Sequence, residues 1–149
     1  MSVLGPLQER YETAQPKKIL ALDGGGIRGL LTLEILAEME KQLRQKLNKG
    51  DDFVLGDYFD YIGGTSTGAI IAAGLSCGFS VQKLLDFYIE KGVDMFDKNF
   101  ILKRWKALYE SGPLLDMLKS TFCEDTDLMV RQANYKSLPL VLPIHKNPH

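Results

Sequence analysis

Short apolar runs that stop at glycines alternate along this chain with longer amphipathic stretches. KKILALD, at 17–23, is a β-branched and leucine run ending against glycines, which predicts a buried strand. From about Leu30 to Leu47 the pattern changes period. Leu36, Met39, Leu43 and Leu47 recur at steps of three and four and share one helical face, while Glu34, Glu38, Lys41 and Lys46 fall largely elsewhere. Asn48-Lys49-Gly50 predicts the helix stop. DYFDYIGG (57–64) reads as a second strand, and Gly68 to about Leu75 as the start of a second helix. Ser80 is placed to cap SVQKLLDFYIEKGVDMF, with Val81, Leu84, Leu85 and Tyr88 on its apolar face. Past a mixed segment around Trp105, SGPLLDMLKSTF predicts another helix with Pro113 in its first turn. SLPLVLPIH (137–145) predicts a third strand, weakened by Pro139 and Pro143. Helical periodicity assigns the apolar stripes, including Phe87, Tyr88 and Trp105, to the core rather than to a lipid groove.

The order strand, helix, strand, helix predicts an α/β layer architecture with a largely parallel sheet. Residues 1–16 are polar, end in Pro16 and read as an N-terminal arm; 17–149 reads as one domain. Composition changes this picture little. The 149 residues are 45% hydrophobic and 25% charged, as in ordinary globular domains, and the net charge of −1 offers nucleic acid no electrostatic footing. Cys77 and Cys123 stand apart from any C-x-x-C pair and read as reduced thiols of small buried side chains. No cluster of His, Cys and carboxylates at ligand spacing implies a metal, and no cofactor is called for. The N-terminus lacks an apolar signal region, and AIIAAGLSCGF falls short of the roughly 20 residues a membrane span needs. The expectation is a cytoplasmic protein whose membrane contact, if it has any, is peripheral.

Two glycine motifs carry the candidate chemistry. Asp23 to Gly29, DGGGIRG, lies between a predicted strand and helix, and Gly24, Gly26 and Gly29 satisfy G-x-G-x-x-G. A dinucleotide site would add an acidic residue about 20 positions on, at the end of a second strand, but the helix fills that interval. The same glycines suit an anion nest instead. Without Cβ obstruction, backbone N–H groups can face outward at the positive end of a helix and hold an oxyanion. Arg28 adds positive charge or orients the loop; it also reads as a solvated surface arginine. Gly64-Thr65-Ser66-Thr67-Gly68 fits G-x-S-x-G between a strand and a helix, the context of a nucleophile elbow. The bland alternative is a tight turn filled with small residues. The upstream anion nest favours the elbow.

Together, ILALDGGGIRG (19–29) and YFDYIGGTSTGAIIAAGL (58–75) resemble the patatin-like phospholipase family, over roughly 17–77 and more loosely beyond. The resemblance implies a three-layer α/β fold and a lipid acyl hydrolase with a Ser–Asp dyad. Ser66 would be the nucleophile, Gly24, Gly25 and Gly26 with the Thr67 N–H would form the oxyanion hole, and Asp23, Arg28, Gly29, Gly64 and Gly68 would support the two motifs. The partner implied is a phospholipid or neutral lipid ester.

The family takes its aspartate from a downstream D-G-G or D-G-A motif. Nothing between Ser66 and His149 reads as one, and the chain stops at HKNPH just past a candidate strand. The expectation is a domain cut short at its C-terminus, with the base further on. A second reading is an inactive remnant that binds lipid or a partner. A Ser–His–Asp arrangement would need His145, with Asp125 or Asp127 orienting it. Asp57 and Asp60 precede the serine closely, and Asp60 reads as hydrogen-bonded within the sheet or turned outward.

Overall fold

The computed structural model describes residues 12–96 and 138–141 of the chain. Strand β1 (Ile19–Leu22) leads through a glycine loop and a single 3-10 turn (Gly26–Arg28) into helix α1 (Gly29–Lys46). A one-turn helix α2 (Leu55–Tyr58) precedes strand β2 (Tyr61–Gly64). Helices α3 (Thr67–Ser76) and α4 (Val81–Phe96) follow, and strand β3 is Leu138–Val141. The strands form one parallel sheet in the order β1-β2-β3, with Ile19 opposite Tyr61 and Tyr61 opposite Leu138. This is the α/β architecture the alternating pattern predicts. The helix predicted around Pro113, the mixed segment at Trp105, Cys123 and both histidines lie outside the described residues.

The second strand is shorter than predicted. Residues 57 and 58 belong to α2 because the Asp57 carboxylate accepts the Val54 N–H at 3.1 Å, closing a helical turn where β-propensity alone suggested extension. The paired strand begins only at Tyr61. There Asp60, 6% exposed, accepts the Lys18 N–H at 2.7 Å, while the N–H groups of Asp60 and Tyr61 donate to the Lys18 carbonyl. Asp60 therefore bonds within the sheet and sets the β1–β2 register at its start.

Helix α1 ends where Asn48-Lys49-Gly50 predicts, and α3 ends in the same way. Past α1, Asn48 takes φ 50°, and the Lys49 and Asn48 N–H groups donate back to the Arg44 and Gln45 carbonyls. Past α3, Gly78 takes φ 81°, with Phe79 and Gly78 donating to Gly74 and Leu75. Both are Schellman closures, which satisfy carbonyls the helix leaves over. The Ser80 hydroxyl caps α4 by accepting the Lys83 N–H at 3.3 Å. A residue the helical pattern passed over assists it. Glu40 accepts the N–H groups of Leu55 and Val81, capping α2 and α4 from one half-buried carboxylate. Burial raises its pKa, against the opposing pull of those two bonds.

Leu22, Leu33, Leu36, Ile62, Ile71, Leu75, Val81, Leu84 and Tyr88 are buried together. Met39, Leu43 and Phe87 pack against this core half-buried, whereas Leu47 at the helix end is 43% exposed. Cys77 is half-buried. Helix α3 lies along all three strands, and α1 packs on α4. Fixing α3 against the sheet fixes the turn that leads into it. Among the described residues no helix is long and apolar enough to cross a membrane.

Candidate active site

Both glycine motifs leave the carboxyl ends of adjacent parallel strands, the edge where α/β sheets present their sites. The turn after β2 is the tighter. Ser66 sits at φ 53° and ψ −123°, a region that L side chains enter at a cost of about 1–3 kcal/mol. Packing enforces it. A methyl on Gly64 would strike the Gly68 carbonyl, and one on Gly68 would strike the Leu22 carbonyl and come within 2.8 Å of the Asp23 carbonyl. Only two bare α-carbons let β2, the turn and α3 approach this closely, which is why glycine occupies both ends of the motif.

Ser66 holds the N-cap position of α3, where a serine hydroxyl ordinarily bonds its own helix. It makes no such bond, and the residue is exposed. The Ser66 hydroxyl therefore stands at the head of a helix without serving it, and the N-terminal dipole lies behind it.

The DGGGIRG loop closes over this turn. Gly24 packs so tightly that a methyl there would lie 2.7 Å from both the Ser66 β-carbon and the Thr65 carbonyl oxygen. The Thr65 N–H donates to the Leu22 carbonyl at 3.1 Å. Two hydroxyls complete the junction. The Gly24 N–H donates to Thr65 Oγ1 and the Gly25 N–H to Thr67 Oγ1, each at 3.1 Å. Gly26 then turns the chain at φ 58°, and the Arg28 N–H closes the loop onto the Gly25 carbonyl at 3.2 Å. Asp23 and Arg28 are exposed at the loop's two ends.

Tyr88 supports both turns from below. Its hydroxyl, on a side chain 2% exposed, donates to the Thr67 carbonyl at 3.2 Å. Its ring lies where a methyl on Gly29 would come within 2.9 Å. Burial pushes the phenol up to about 12, so it stays protonated and donates across the physiological range.

The structure thus brings Gly24 against Ser66 and ties Gly24 and Gly25 to the threonines that flank it, with Gly64, Gly68 and Gly29 as close-packed positions. Sequence reasoning missed the threonine hydroxyls and Tyr88. The signals were present: β-branched hydroxyls at both variable positions of G-x-S-x-G, and a tyrosine on a buried helical face, where its polar end must find a partner. Among the described residues no three His, Cys, Asp or Glu side chains cluster closely enough to hold a metal ion. Nor does the dinucleotide pattern gain a partner, since α1 fills the interval and the sheet resumes only at Tyr61.

Parallel strands, a serine at positive φ between strand and helix, and a glycine loop against it define an α/β fold with a tight strand–turn–helix junction. Comparison with known proteins narrows this. The family described as Patatin-like phospholipase matches residues 20–134. A cGAMP-activated phospholipase of Escherichia coli (strain TW11681) is 39% identical over 114 residues, covering 73% of this chain and 32% of that protein. Patatin-like protein 2 of Oryza sativa subsp. indica is 37% identical over 123 residues, covering 72% and 30%. Patatin-17 of Solanum cardiophyllum is 40% identical over 86 residues, covering 53% and 22%. The chain belongs to the patatin-like phospholipase family, and it spans about a third of the length of the first two of these relatives.

Proposed function

We propose that the protein carrying this chain is a serine lipid acyl hydrolase of the phospholipase A or lipase type, with Ser66 as its nucleophile. The observation that carries this reading is Ser66 itself, held at φ 53° at the head of α3, giving its hydroxyl to no helix cap and packed against Gly24.

In this mechanism Ser66 Oγ attacks the ester carbonyl carbon of a phospholipid or neutral lipid. The carbonyl oxygen takes on negative charge beside the glycine loop and the N-terminus of α3, where backbone N–H groups and the helix dipole stabilise it. Removing one such donor typically costs about 10²–10³ in kcat. Collapse of the intermediate expels the alcohol and leaves an acyl-Ser66 ester, which water hydrolyses to the fatty acid. The proton acceptor in this mechanism is an aspartate that forms a Ser–Asp dyad with Ser66. The aspartates close before the serine have other duties: Asp60 holds the Lys18 N–H and Asp57 closes α2. In this reading the protein meets its substrate by peripheral contact with a lipid surface.

The test is hydrolysis of phospholipid vesicles and of a soluble ester by the protein and by its Ser66→Ala variant. The variant is expected to lose roughly 10⁶ in kcat. A variant that keeps the parent rate would sink the mechanism.

A further inference from the structure

We infer that Thr65 and Thr67 are positioning residues of this site: their hydroxyls lock the glycine loop in register with Ser66 and leave the N–H groups of Gly26 and Thr67 to receive the oxyanion. The inference rests on the reading of Ser66 as nucleophile and says how its surroundings are held.

An N–H group has one proton to give. Those of Gly24 and Gly25 are directed at Thr65 Oγ1 and Thr67 Oγ1. That takes two of the expected oxyanion donors out of the role and gives them another, as struts between the two turns. The donors that no threonine hydroxyl engages are Gly26, in the loop, and Thr67, first residue of α3, whose N–H has no partner within the helix.

The two struts are spaced to act as a pair. Thr65 and Thr67 flank Ser66 on either side, so any shift of Gly24–Gly25 relative to the serine must break a bond at one of them. Thr67 is the stiffer of the two. It is 5% exposed, β-branched, and held through its carbonyl by the Tyr88 hydroxyl. Both hydroxyls accept from a different loop, more than 40 residues earlier in the chain. A methyl on Gly24 would lie 2.7 Å from the Ser66 β-carbon, so only a bare glycine lets the loop sit this close to the serine.

The experiment uses the protein that carries this chain as wild type, Thr67→Val, Thr67→Ser and Thr65→Val. Three quantities are read: the second-order rate of fluorophosphonate capture by Ser66, kcat and KM separately on a soluble ester, and hydrogen exchange at the Gly24 and Gly25 amides. Valine keeps the shape and removes the acceptor. Thr67→Val is expected to slow capture and kcat by roughly 10–100-fold, less than the ~10²–10³ that removal of a donor costs because the donors are shifted rather than removed, with KM changed less than about twofold. Thr67→Ser should restore most of the rate. The Gly25 amide should exchange faster in Thr67→Val alone, and the Gly24 amide in Thr65→Val. Thr65 is exposed, so its variant tests the same principle without disturbing the core. Wild-type rates in both valine variants would overturn the inference while leaving Ser66 as nucleophile. A wild-type protein that takes no label on Ser66 would overturn the nucleophile reading instead. In that event unchanged exchange at Gly24 and Gly25 in the valine variants would overturn the struts as well.

Discussion

Two strand-to-helix turns lie against each other at the carboxyl end of the sheet, built to opposite specifications. The turn after β1 is open. It spreads DGGG and a 3-10 turn between Leu22 and Gly29 and offers backbone, with one positive φ carried by a glycine, Gly26. The turn after β2 is shut. It passes from Gly64 to Thr67 with no slack and places its positive φ on a serine. Glycine at Gly26 makes the reversal nearly free, whereas Ser66 holds the same kind of conformation at a cost the surrounding packing must offset. Strain is concentrated at the one residue with a hydroxyl to present, and conformational ease at the loop that surrounds it.

Substitutions can break this contrast, the tight turn being the most sensitive. Gly64→Ala sets a methyl against the Gly68 carbonyl and, at 2.7 Å, the Ala69 nitrogen, which are backbone atoms that cannot swing aside. The expected loss is about 3 kcal/mol or more, read as a lower urea midpoint. Ser66→Gly should act in the other direction, raising the unfolding free energy by about 1 kcal/mol, read as a higher urea midpoint, as the strain at φ 53° is relieved, while abolishing any chemistry that needs the hydroxyl. A destabilised Ser66→Gly variant would mean that the turn is not strained. Tyr88→Phe sharpens the comparison, because Tyr88 touches both turns by different means. The ring over Gly29 remains, and the hydroxyl bond to the Thr67 carbonyl is lost. A cost of about 1 kcal/mol in the same measurement is expected. A cost near that of Gly64→Ala would show that the hydroxyl, rather than the packing, holds the pair together.

The architecture was largely legible because its elements are locally consistent. KKILALD can bury a strand, the leucine steps of α1 have one face, and Asn48 and Ser80 supply their own stop and start. The exception is instructive. DYFDYIGG is aromatic and β-prone throughout, yet Asp57 turns its first part into a helix through a bond to a backbone group three residues earlier. Composition in a window does not record such bonds. The site divides in the same way. The glycines were readable because close approach admits few residue types. The struts from Thr65 and Thr67 join positions more than 40 residues apart, and Tyr88 reaches Thr67 from another helix. Partnerships of that range follow from the sheet's register, which brings Leu22 beside Gly64, and no local pattern announces them.

The most direct test of the central claim is labelling of the protein that carries this chain with a fluorophosphonate, followed by mass-spectrometric mapping of the modified residue. The account predicts covalent label on Ser66, abolished by Ser66→Ala. Label on a different serine, or none on a protein that circular dichroism shows to be folded, would contradict it.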